Sequence, residues 1–488
     1  MELLLAFDIG TSSLRTSLFT IEAKRLTATT AQEEYPLLTT ADGGAELEPA
    51  RLKAAALACL EKTFRVLREE ATLQGARIVG IGASCFWHSL VGVDHDNRPL
   101  TPVVTWADSR CIGDAETYRR AFDERETHAK TGCMSRTSFW PAKLLWLRRT
   151  DPETFAKVAR WLSPAEWLQR EFCGEAACAY GMATGTGLFN PSTLDWVPEL
   201  LEHCDLQSSQ LGNLSDKPTT ATAETVARFP ELKDVPWFPA IGDGAASNLG
   251  SGATKPGLAA INVGTSAALR VMSEGSDAVA PFGLFCYRVD ARRYLVGGAV
   301  SNAGNLRAWC VKELQLPGDD NAIEAELLAR ATPEHGLMVL PFWTAERAPT
   351  WRGDLKGAVI GLTQHTSALD LLQATTEAVY YRIALIEEMV ARHEGSRPKL
   401  IVSGGIQKSP ASIQRLASVL NAPLYANHEA EASIRGAAVF VAEKLGRTIP
   451  PFCGAEPIPP CPQAASRYRV EREKQQQLER LIEKLQDG

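Results

Sequence analysis

No stretch of this 488-residue chain approaches the ~18 uninterrupted apolar residues of a membrane span, so none is expected. The opening MELLLAFD lacks a basic segment and meets Asp8 too early for a signal peptide. A basic excess is also missing. Lys plus Arg total 51 against 58 Asp plus Glu, and a net charge of −7 argues against a nucleic-acid surface. The eleven cysteines show no Cys-x-x-Cys spacing and are odd in number. A disulfide framework is therefore not expected, and a reducing cytoplasm is. The Gly-x-x-x-x-Gly-Lys-[Ser/Thr] loop is absent too, which excludes a P-loop enzyme.

What is present is ordinary globular composition, 45% hydrophobic and 22% charged, at a length that suits two to four domains. Residues 3–9, 14–19, 78–84, 88–94 and 102–110 read as strands, and 49–71 as a helix. That helix has Pro49 near its start and Leu52, Leu60, Phe64 and Leu67 on one face. Strands alternating with helices indicate an α/β class. A second α/β block begins near 238–252, and 367–392 reads as the longest helix. KLIVSGGIQKSP (399–410) is a strand entering a glycine turn, with Pro410 opening a helix. The proline-rich stretch 450–462 reads as extended, and the charged helix from Arg467 as peripheral.

One turn occurs twice. AFDIGTSS (6–13) and AINVGTSA (260–267) align Gly10 with Gly264, Thr11 with Thr265 and Ser12 with Ser266, while Asp8 corresponds to Asn262. Each copy stands at the front of one α/β block, as in a duplicated fold with two facing turns. Glycine lets backbone approach an anion, and successive N–H groups form an anion-binding concavity. Thr11, Ser12 and Ser13 add hydroxyls. Two such turns can grip a polyphosphate from both sides. Asp8 is then placed to face Mg²⁺, which takes few protein carboxylates. Two ordinary hairpins are the plainer alternative.

GDGAASNLGSG (242–252) sets Asp243 between glycines, just ahead of the second turn and followed by small residues. An Asp here can take the proton of an attacking hydroxyl, or can simply cap a helix.

Together, FDIGTSS, WADSR, KLLWL, GDGAASNLGSG, INVGTS, LPFWTAERAP, VSGGIQKSP and EASIRGAA resemble the motifs of the FGGY carbohydrate kinases, within the actin-like ATPase superfamily. They run in the family's order over residues 5–438. The resemblance implies two ribonuclease-H-like domains closing over ATP, with Mg²⁺, and a polyol. It divides the chain into 1–238, 239–466 and a tail, 467–488. It implies Asp243 as catalytic base and Asp8 as the metal-linked acid. Thr11, Ser12, Ser13, Gly264 and Thr265 match positions around the ATP phosphates. Gly404 and Gly405 match the turn against adenosine, and Asn302 and Gly304 another nucleotide-facing helix end.

On the sugar side, the resemblance implies contacts from Trp87, His88, Asp108 and Arg110. Each has a plainer reading: core packing for Trp87, a buried hydrogen-bonded histidine for His88, a structural ion pair for Asp108 with Arg110. The region 131–155 is most similar to the gluconate kinase branch, although MSRTSFW departs from its pattern. Arg136 within it is a candidate for a substrate carboxylate, as is Arg110, or else a solvated surface residue. The expected partner is therefore a small sugar or sugar acid, with gluconate first and xylulose as the alternative. A sensor that kept the fold without the chemistry is the rival class. The oligomeric state stays open, a homodimer among the options.

Overall fold

A computed structural model of the chain describes residues 1–486 apart from 317, 331, 428, 430 and 453–455. Part of the proline-rich stretch and the last two residues of the tail therefore lie outside the described residues.

The opening strand Glu2–Ile9 is apolar on both faces, with Leu3 to Ala6 fully buried, as a central strand must be. It pairs antiparallel with Ser13–Thr20, which pairs antiparallel with Ala31–Glu34. On its other side it runs parallel to Arg77–Cys85, which runs parallel to Ile241–Gly242. The second half repeats the plan. Leu258–Val263 pairs antiparallel with Ala267–Glu274, and that strand with Arg293–Val300. Lys399–Ser403 and Leu424–Ala426 then add in parallel. The duplicated turn thus marks a duplicated sheet, with antiparallel Phe285–Arg288 and Pro457–Ile458 added at the second sheet's edges. This is the ribonuclease-H-like, actin-like ATPase arrangement that the sequence led us to expect.

The sheets are not cleanly partitioned between the halves. The first takes its last strand from Ile241–Gly242, just beyond the expected 238/239 boundary. Helix Ala432–Lys444, from the far end of the chain, lies on it as well. A Cβ on Gly80 or Gly82 would stand 2.6 and 2.4 Å from the Val441 methyls. The same helix crosses helix Asp243–Ser251 through bare backbone. A Cβ on Gly250 would be 1.8 Å from Ala432 O, and one on Gly436 1.8 Å from Ala246 O.

The tail differs from its reading as peripheral. It is a helix, Pro462–Gln486, that buries Tyr468, Gln475 and Glu479. Tyr468 donates to Glu377 Oε1 at 2.8 Å, and Gln475 to Val339 O at 2.8 Å. Glu479 pairs with the fully buried Arg382, whose Nε also donates to Glu346 Oε1 at 3.2 Å. The buried face carries Gln475 and Glu479 as well as Ala464 and Tyr468, and its polar groups are answered from helix Ala368–Glu394 and strand Met338–Leu340, so apolar periodicity alone does not reveal it.

Arg382 neutralises two buried carboxylates. Arg382→Met should therefore cost about 3–5 kcal/mol, because it strands Glu346 and Glu479 without a counter-charge. Chemical denaturation of the two proteins side by side measures this. An unchanged midpoint would mean that the network contributes nothing.

Candidate active site

The two glycine turns share a frame but not a length. In the first, Gly10 N–H donates to Ser13 O at 2.9 Å, leaving Thr11 and Ser12 at the tip. In the second, Gly264 N–H donates to Ser266 O at 2.9 Å, leaving Thr265 alone. Strand register agrees, with Ile9 opposite Leu14 but Val263 opposite Ala267. Among the described residues no protein group takes up the hydroxyls of Thr11, Ser12, Ser13, Thr265 or Ser266.

The second turn is braced from behind. Helix Gly304–Glu313 docks on it, Gly304 N–H donating to Gly264 O at 2.9 Å and Asn305 N–H to Thr265 O at 3.2 Å. Gly404 has φ +91° and lies where a Cβ would be 2.6 Å from Val263 O, so only glycine fits there. Gly264, Thr265, Gly304, Gly404 and Gly405 thus form one constellation. Asn302, expected with them, is buried instead. Its Nδ2 donates to Thr344 O at 3.0 Å and its Oδ1 accepts from Thr344 N at 3.1 Å. Its amide thus holds the 341–347 loop.

Asp8 stands opposite Arg15 in the hairpin, 3.7 Å from its guanidinium, which is held at 2.8 Å by Glu431. Burial raises its pKa to about 6, and the carboxylates of Asp243 and Glu431 add to the rise. Asp243 is the first residue of helix Asp243–Ser251, and its Oδ1 accepts from Gly244 N–H at 2.7 Å. Its carboxylate stays open to the cleft, yet the surrounding protein raises its pKa, against the pull of Arg270. A buried carboxylate whose pKa a second one helps to raise suits a hydrated divalent cation, which needs few protein ligands. No cluster of three metal-type side chains occurs among the described residues.

Asp8, Thr11 and Asp243 line a cavity of about 340 Å³ between the halves, together with Trp87, His88, Trp106, Tyr287 and Trp351. Trp87 is both packed and part of this wall. Its Nε1 donates to Gly181 O at 2.7 Å, and a Cβ on Gly242 would be 1.8 Å from its ring. His88 adopts φ +66°, and its Nδ1 lies 2.6 Å from Gly185 O, which fixes the proton on Nδ1. Burial lowers its pKa to about 3, so the ring is neutral and Nε2 is an acceptor. Lys143, quoted within KLLWL but given no role, supports this strained turn. Fully buried, it donates to His88 O at 2.7 Å and to Ser138 O, and burial lowers its pKa to about 7.

The other expected sugar contacts lie elsewhere. Asp108 is buried, accepts from Ala45 N–H at 2.9 Å and pairs with Arg110 Nη2 at 2.6 Å. Arg110 also reaches Glu46 and stacks over Trp146 at 4.3 Å. Neither lines the cavity, so the structural ion pair is what the chain contains. Arg136 is bound to Glu124, to Ser135 O at 2.8 Å and to Trp351 O at 3.0 Å, also off the cavity. The expectation that Arg110 or Arg136 meets a substrate carboxylate is not met in this cavity, because protein acceptors engage both and neither lines it. The arginines that do line the cavity are Arg270 and Arg347, which the sequence reading passed over. The signal for Arg270 was a charge inside an otherwise apolar strand, AALRVM.

Comparison with known proteins agrees with this geometry. Residues 3–250 match the N-terminal domain, and 259–443 the C-terminal domain, of the FGGY family of carbohydrate kinases. The gluconokinase of Bacillus subtilis is 27% identical over 460 residues, covering 90% of this chain and 86% of its own. The xylulose kinase of Escherichia coli is 27% identical over 425 residues, covering 85% and 84%. The crystal structure of gluconate kinase from Lactobacillus acidophilus superposes with a TM-score of 0.88 at 24% identity, over 99% of this chain and 98% of that one. Two glycine turns on duplicated sheets, an open acid at the floor between them and family matches across both halves have one meaning: this chain belongs to the FGGY family of carbohydrate kinases.

Proposed function

We propose that this family member transfers the γ-phosphoryl group of ATP to a terminal hydroxyl of an open-chain sugar acid, gluconate, to give 6-phosphogluconate. The observation that carries the reading is Asp243, a carboxylate open to a cavity that two arginines also line. In the proposed step Asp243 accepts the hydroxyl proton. The hydroxyl oxygen forms a bond to the γ-phosphorus as the bond to ADP breaks. Thr11, Ser12, Ser13, Gly264 and Thr265 receive the phosphates, while Gly404 and Gly405 leave backbone open to adenosine. Asp8 is the residue that would hold Mg²⁺, directly or through water, and a bound ion would draw charge from the phosphates. Trp87 walls the sugar chain, and neutral His88 accepts from one of its hydroxyls.

Gluconate should exceed xylulose and glycerol in kcat/KM when purified protein is assayed for ATP consumption. A preference for xylulose would favour the reading suggested by the similar xylulose kinase.

Asp243→Asn should retain ATP binding and lower kcat by about 10² or more, because a positioned base supplies ~10²–10⁴-fold. Near-native turnover would remove Asp243 from the base role.

His88 stays neutral from pH 8 down to about pH 4. Below pH 6.5 the unfolded chain takes up a proton that the folded ring refuses, so stability falls as pH falls. Its share of the loss between pH 7 and 4 is on the order of 3 kcal/mol. His88→Asn, which tolerates positive φ, should lose less stability over that window. NMR of the ring carbons gives an independent check, and a titration near 6.5 would contradict the neutral ring.

A further inference from the structure

Arg270 is a cation with nothing to hold. It projects from strand Ala267–Glu274 between the fully buried Leu269 and Val271. Its guanidinium lies against bare backbone: a Cβ on Gly244 would be 2.9 Å from Nε and 3.0 Å from Cζ. On another side Phe285 packs with its ring centroid 6.0 Å from Cζ. Nε is sealed from solvent and has no hydrogen-bond partner. Among the described residues, this side chain makes no hydrogen bond and no carboxylate lies within ion-pair distance of it. Buried donors are almost always satisfied, and an unsatisfied charged one is costly. Arg347 sharpens the demand, because a second cation faces the same space. It is only partly satisfied, through Ser301 Oγ at 3.2 Å and Val300 O at 3.1 Å.

Two anions come to this cleft in the proposed reaction, the transferring phosphoryl group and an acid's carboxylate. Position separates them. Arg270 lies four residues beyond Ser266, about 13 Å of strand from the second glycine turn. The charges divide in the same way. Asp8 faces Arg15, Asp243 and Glu431, whereas Arg270 faces Asp243, Arg347 and Tyr287. Arg270 also lies beside the aromatic wall: the Cβ position of Gly244, 2.9 Å from Arg270 Nε, is 2.7 Å from Trp87 Cζ3, and Trp87 packs edge-on against Tyr287 at 4.9 Å.

We propose that Arg270 is the specificity residue that receives the acceptor's carboxylate, with Arg347 supplying the second positive charge. This rests on the kinase reading above and names the residue that selects an aldonate over a neutral sugar. Planar, bidentate guanidinium recognition suits a carboxylate and offers a neutral CH₂OH end much less.

The test compares wild type, Arg270→Met and Arg270→Lys, using calorimetry for gluconate and for glucitol, its neutral counterpart, and kcat/KM for gluconate and xylulose. Arg270→Met should weaken gluconate roughly ten- to hundred-fold, the worth of a charge-assisted bond. Glucitol binding should stay within about threefold, the gluconate-to-xylulose ratio of kcat/KM should fall by the same factor as gluconate binding, and Arg270→Lys should recover part of the loss. Thermal unfolding of each variant identifies misfolding, and Arg270→Lys, which keeps the charge but not the planar fork, carries the test should the Met variant fail to fold. Equal losses on acid and neutral ligands would assign Arg270 to the phosphoryl group and overturn the proposal. Unchanged gluconate binding would also overturn it. Both results leave the kinase reading intact provided wild type still phosphorylates gluconate. A wild type that neither binds nor phosphorylates gluconate overturns the substrate reading and this inference together.

Discussion

The crossing of helices Asp243–Ser251 and Ala432–Lys444 is the constraint on which the cleft depends. At Gly250 and Gly436 the two backbones meet so closely that a methyl group would stand 1.8 Å from a carbonyl oxygen. No side chain can adjust that gap, because both partners are main chain. One helix leaves the first sheet directly from Ile241–Gly242, and the other lies back on that sheet through Val441. Their N-terminal residues, Asp243 and Ser433, both reach the cavity. The crossing therefore sets where the open acid stands relative to the two glycine turns. It also brings the positive end of a helix dipole to the floor where phosphate would arrive.

That floor is built at the expense of stability. Asp8, Asp243, Arg270 and Arg347 are each shifted toward the neutral form by burial. Such an arrangement persists because the surrounding structure over-determines it. Lys143 holds the strained His88 turn through two carbonyls, Asn302 holds the loop carrying Arg347, and Glu346, next to Arg347, is anchored through Arg382 to the C-terminal helix. A tail that reads as a charged appendage in fact closes a chain of buried charges leading to the cleft wall.

What was legible in the sequence was local. A glycine hairpin repeats as a motif, and the strand order repeats with it. Asp243 stands out because glycines flank it. What was not legible was pairing. Arg110 and Arg136 sit beside strong motifs, but Glu46 lies 64 residues from one and Glu124 12 residues from the other. Asn302 looks open until Thr344, 42 residues on, takes both ends of its amide. Arg270 gives the opposite case, since a strand residue normally finds an acceptor and this one does not. No window of sequence distinguishes a saturated guanidinium from a vacant one. That difference is a property of the folded contact set.

The cavity also shows why the acceptor matters to the whole cleft. Trp87 and His88 belong to the first half of the chain, while Arg270, Tyr287, Arg347 and Trp351 belong to the second. The proposed acid would touch both halves at once, its hydroxyl end at Asp243 and its charged end at the arginines. Such binding would fix the distance between the two glycine turns as well as the position of the sugar. A neutral ligand that leaves the arginines unanswered forfeits part of that alignment, so it loses orientation as well as affinity. On the proposed reading, selectivity and positioning would be one interaction, because the residue that reads the acid would also help to align the reacting oxygen with the phosphate.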